Sequence, residues 1–65
     1  MLTKYAQRVT EIYNEHARLY KKACEDHDTV EKSVHALVCN AINLKVCKSS
    51  HQEVKDYFNL HAIAD

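Results

Sequence analysis

Not one glycine or proline occurs in this chain of 65 residues, and that fact narrows the folds open to it. Glycine serves positions of positive φ, proline makes rigid kinks, and tight two-residue β-hairpins depend on Asn-Gly or Asp-Gly turns. No position is therefore reserved for positive φ, and an all-helical chain is the natural reading. A chain this short buries only about 60% of the surface its unfolded form exposes. Proteins of this size usually need a staple, a metal, a second copy or a partner.

Apolar residues recur at Leu2, Tyr5, Ala6, Val9, Ile12, Tyr13, Leu19, Tyr20, Ala23 and Cys24, the three-and-four spacing of one amphipathic helix over about residues 2–25. Lys4, Arg8, Glu11, Glu15, Arg18, Lys22 and Asp26 form its solvated outer face. Asp28 and Glu31 have the capping-box spacing and predict a second helix over about 29–48, with Asp28 as its N-cap. Ser50 and Glu53 repeat the spacing and predict a third helix over about 51–62. The turns are short, so consecutive helices should be antiparallel neighbours. The expected architecture is one domain, residues 1–65: a small three-helix bundle, or helical hairpin plus short third helix, associating as a helical dimer.

The second helix carries two apolar stripes. Val30, Val34, Leu37, Val38, Ala41 and Leu44 share one side; His35, Cys39, Ile42 and Val46 form another, roughly 100 to 140° away at 100° per residue. A helix apolar over more than half its circumference is expected in the centre, with helix 1 on one side and helix 3 or a second chain on the other. Helix 3 offers only a narrow stripe of Val54, Tyr57, Phe58 and His61, with Leu60 or Ala64 at its margin.

Nine basic and nine acidic residues cancel and intersperse, leaving no electrostatic footprint for nucleic acid or an anionic membrane. The longest uncharged run, SVHALVCNAINL at 33–44, falls short of the roughly 20 apolar residues that span a bilayer. MLTKYAQR has no apolar stretch or small-residue cleavage site, so no signal peptide is expected. Three cysteines, an odd number, suit a reducing compartment. The expected location is cytoplasmic.

The stretch CEDHDTVEKSVHALVC at 24–39 has cysteine and histidine at both ends, as some zinc sites do. If both halves are helical and turn near His27, Cys24 lies roughly 5 Å and Cys39 roughly 17 Å from the turn, too far apart for one tetrahedral ion. A different set survives the same arithmetic: His16, Cys39 and His61 fall at one level of the bundle, with His35 a turn from Cys39. Imidazole and thiolate suit zinc or copper. The plainer reading, hydrogen-bonded histidines and a packed thiol, is favoured, and no cofactor is expected. Buried histidines of this kind predict that acid loosens the assembly. Cys39 with His35, or Cys47 with His51, has the spacing of a nucleophile pair but lacks an oxyanion hole or cleft, so no enzymatic activity is expected.

Tyr5, Tyr13, Tyr20 and Tyr57 all fall on apolar stripes, and tyrosine is enriched at protein–protein contacts. Helix 1 keeps a seam of about 23 residues, roughly 34 Å, longer than helix 3 can cover. The expected interface, with a partner protein or a second copy, is therefore Tyr5, Val9, Ile12, Tyr13, His16, Leu19, Tyr20, Cys39, Ile42, Val46 and Tyr57. These features predict a small interaction protein acting as regulator, inhibitor or adaptor, with size and compactness suggesting a phage or mobile-element origin. The alternatives are a His/Cys metal-binding protein, or a DNA-binding regulator using helices 2 and 3. The second is weakened by HQEVKDYFNLHA at 51–62, whose only fixed positive charge is Lys55.

Overall fold

The computed structural model describes residues 2–63, Leu2 by its backbone alone; the packing of Leu2 and the marginal position Ala64 lie outside the described residues. Three helices follow one another: α1 (Leu2–Glu25), α2 (Thr29–Cys47) and α3 (Gln52–His61). There is no strand among the described residues. At 1.5 Å per residue α1 is about 36 Å long, which accounts for the 38 × 17 × 17 Å extents of the molecule.

The turn between α1 and α2 departs from the expectation that no residue takes positive φ. His27 stands at φ 58°, and the amide of His27 donates to the Cys24 carbonyl at 3.3 Å while that of Asp28 donates to the Ala23 carbonyl at 2.9 Å. This is a Schellman ending, the geometry glycine normally serves. A side chain in that region costs about 1–2 kcal/mol. His27→Gly, after the entropy glycine loses on folding, is expected to stabilise the chain by about 0.5–1 kcal/mol, or several degrees in Tm for a domain this small. A melting scan at neutral pH checks it; a lower Tm would show that the His27 ring contributes more than its backbone costs.

Asp28 then caps α2, its carboxylate accepting the Glu31 amide at 3.1 Å. The Ser50–Glu53 box does not form. The Ser49 hydroxyl takes the His51 amide at 3.1 Å instead, and α3 starts one residue later with His51 as an N-cap that makes no side-chain cap bond.

The link between Asp28 and Ala23 also sets the hairpin register. Seven residues back along α1 and seven forward along α2 are His16 and His35, whose rings meet. α3 returns along α1 in the same direction: Tyr13 packs edge-on against Phe58, ring centroids 4.9 Å apart, and Asn14 clamps the end of α3. The Asn14 Nδ2–H donates to the His61 carbonyl at 3.1 Å, and its Oδ1 accepts the Ile63 amide at 2.8 Å.

α1, not α2, is therefore the shared helix. It packs along both others, whereas α2 and α3 touch only sparsely. The cause lies in small side chains: Ala6, Thr10 and Ala23 are buried on α1 and let two backbones approach. The remainder of the buried set is His35, Val46, Val54 and Phe58. That core is modest. A monomer of 7.5 kDa typically exposes about 4,200 Å², and this chain exposes 4912 Å².

Candidate functional site

Four of the seven exposed large hydrophobic residues among the described residues lie on α2. Its inner side, against α1, is made by the stripe of His35, Cys39, Ile42 and Val46: His35 and Val46 are buried and the other two half-buried. The opposite stripe faces outward, with Val30 72%, Val34 47%, Leu37 70% and Leu44 59% exposed, and Ala41 exposed among them. At 100° per residue these five fall within an arc of about 80°, centred roughly 150° from the inner stripe. The stripe richest in valine and leucine is thus the one left open, and the stripe expected to receive helix 3 or a second chain receives α1.

The spacing of the open stripe is 4, 3, 4, 3 from Val30 to Leu44, the repeat of a coiled-coil seam. Apolar stripes of this kind on monomers mark interaction surfaces. Flanking it on one side are Glu31, Val38 and Lys45; on the other, Ser33, Asn40 and Cys47.

The residues expected to form the interface lie elsewhere. Within the chain, Val9, Ile12, Tyr13, His16 and Tyr20 are half-buried on α1, Val46 is buried, and Cys39, Ile42 and Tyr57 are half-buried. Only Tyr5 and Leu19 are more than a third exposed, at 41% and 39%. The Cys39 thiol points at the Tyr13 carbonyl at 3.9 Å, and the Tyr57 ring lies 4.2 Å from that of His61. The α1 seam is filled by α2 and α3 together, so the uncovered length that argued for a partner on α1 is found on α2. A cleft of about 300 Å³ does open beside it, lined by Tyr13, Ala17, Tyr20, Ala36, Cys39, Asn40 and Asn43.

His16 and His35 form a side-chain polar pair between α1 and α2. Their Nδ1 atoms are 2.8 Å apart, and His35 Nε2 lies 3.1 Å from Glu31 Oε2. With His35 donating from Nε2 to the carboxylate, its Nδ1 lone pair accepts the Nδ1–H of His16.

His16, His35, Cys39 and His61 do not assemble into one donor set. His16 and His35 bond to each other, His61 lies against Tyr57, and no group of three or more His, Cys, Asp or Glu side chains is placed to hold a metal among the described residues. None of the three cysteines is in a disulfide. No helix among the described residues is long and apolar enough to cross a membrane. The pair that a helix-turn-helix would need, α2 and α3, is the least closely packed.

No protein-family model, no curated protein and no solved structure matches the chain.

Proposed function

We propose that this chain is a non-catalytic protein–protein interaction module, working as a regulator, inhibitor or adaptor, and that its binding face is the outward stripe of α2. The observation that carries the reading is four large aliphatic side chains, 47–72% exposed, on one helical seam. Fully burying a valine or leucine is worth about 1.5–3 kcal/mol. Weighted by that exposure, the stripe holds roughly 5 kcal/mol of unrealised burial. Association costs about 4–15 kcal/mol in lost freedom, so the stripe binds stably only to a surface that contributes comparable burial of its own. A second amphipathic helix does that, and α2 is already held rigid by α1, which lowers the ordering cost. Helical dimerisation belongs to the same reading.

The test is capture by the tethered chain, comparing wild type with Val34→Asp/Leu37→Asp. Both positions face solvent, so the variant should keep its circular dichroism and melting transition. A protein retained by wild type and lost by the double variant supports the reading. Equal capture by the two would move the binding face to the Tyr13–Tyr20 cleft, where Tyr20→Ala would then abolish it.

A further inference from the structure

We infer that the occupant of the α2 stripe is a second copy of this chain, its α2 running antiparallel in the register that sets Glu31 beside the partner's Lys45. This rests on the reading of that stripe as a binding face and adds what binds there and how.

The seam is self-complementary in size when reversed. Antiparallel coiled coils stack the two kinds of seam position in alternate layers, which here sets Val34 on the partner's Leu44 and Leu37 on the partner's Ala41, each layer occurring twice by the two-fold axis. Every central layer then joins a leucine to a smaller residue, and Leu37, 70% exposed, gains the space that Ala41 leaves. A parallel pair would set leucine on leucine and alanine on alanine, leaving a void at the Ala41 layer.

Charge at the seam edges selects the same arrangement. In the antiparallel register one edge reads Glu31 with the partner's Lys45, Val38 with its own copy, and Lys45 with the partner's Glu31. The other edge pairs Ser33 with the partner's Cys47 and Asn40 with its own copy. No like charges meet, and two opposite pairs form. Both charged groups are available: the Glu31 side chain is 57% exposed while its Oε2 meets His35, leaving Oε1 for a partner, and Lys45 is exposed with no ion pair among the described residues. Paired in parallel, Glu31 and Lys45 would stand fourteen residues apart, about 21 Å along the axis, and could not meet. Opposed helix dipoles favour the antiparallel form as well.

The seam from Val30 to Leu44 is about 21 Å long, short for a free coiled coil. It suffices here because each α2 is already folded against its own α1, and the lysine at position 48, the next seam site, ends the stripe by reaching past the partner's Val30.

Sedimentation equilibrium of the full chain between roughly 10 and 500 μM, a range that resolves micromolar association, tests this. Wild type should sediment as two chains at the upper end, and Leu37→Asp as one chain throughout. Lys45→Glu, at an exposed position, should raise the dissociation constant about fivefold or more, as expected for two exposed pairs turned repulsive, with circular dichroism confirming that the last turn of α2 is kept. Glu31→Lys/Lys45→Glu should restore it to within about twofold of wild type, with circular dichroism confirming that loss of the Glu31–His35 contact leaves the helices intact. Monomeric wild type across the range overturns self-pairing; if Val34→Asp/Leu37→Asp still loses a captured protein, the binding face stands without it. A dimer unaffected by Leu37→Asp places the contact on another face. Failure of the reversed pair to rescue overturns the antiparallel register.

Discussion

Phe58→Ala is expected to remove most of the stability of the chain. Phe58 is buried against Tyr13, and with Val54 it is one of only two buried residues on α3. Truncating a buried Phe to Ala typically costs 3–5 kcal/mol. At 0.05–0.15 kcal/mol per residue, a chain of this length has about 3–10 kcal/mol in all. α3 has 10 residues, below the length at which an isolated helix holds itself in water, so it should detach and lose its helicity while the Asn14 clamp lets go. Thermal melting followed at 222 nm should show Tm lower by more than about 12 °C, or no cooperative transition. Leu60→Ala is the control: Leu60 lies on the same helix, 79% exposed, and its loss should change stability by no more than about 0.5 kcal/mol. Equal effects of the two substitutions would mean that α3 is not held by Phe58.

Removing the His16 ring is expected to weaken the α1–α2 seam. The 2.8 Å contact between the Nδ1 atoms of His16 and His35 gives the buried His35 ring its partner on α1. His16→Ala leaves that Nδ1 unsatisfied, which costs about 1–3 kcal/mol. Thermal melting at one neutral pH should show Tm lower by roughly 4 °C or more. His16→Gln keeps an amide donor and acceptor near the same place and should recover part of the loss. An unchanged Tm for His16→Ala would mean that the pair does not hold the seam, and equal losses for the two variants would place the effect in the packing of the ring and not in its hydrogen bond.

Much of the architecture is readable along the chain. The three-and-four spacing of α1 needs no tertiary information, and Asp28 with Glu31 marks the start of α2 because the cap is made by neighbours in sequence. Val54 and Phe58 stand out as the α3 stripe for the same reason. The positive φ of His27 does not stand out, because the usual marker, glycine, is replaced by a residue that tolerates the strain. The pairing of His16 with His35 is also hidden. Counting levels from the middle of the turn puts His16 opposite Cys39, whereas the bond from the Asp28 amide to the Ala23 carbonyl draws α2 back by about one turn and sets the pair that forms.

The candidate site shows where local pattern stops. Both stripes of α2 are visible in the sequence, and both have helical period, so periodicity alone says only that each could pack. Which one turns inward depends on α1: His16 meets the buried His35 ring, and the Tyr13 carbonyl meets the Cys39 thiol. The sequence by itself thus determined three helices, the Asp28 cap of α2 and the two apolar faces of α2, because those follow from contacts within a few residues. Only the tertiary structure decided that α1 is shared by the other two helices and that Val30, Val34, Leu37, Ala41 and Leu44 face outward, because that choice is made by complementarity between helices far apart in the chain.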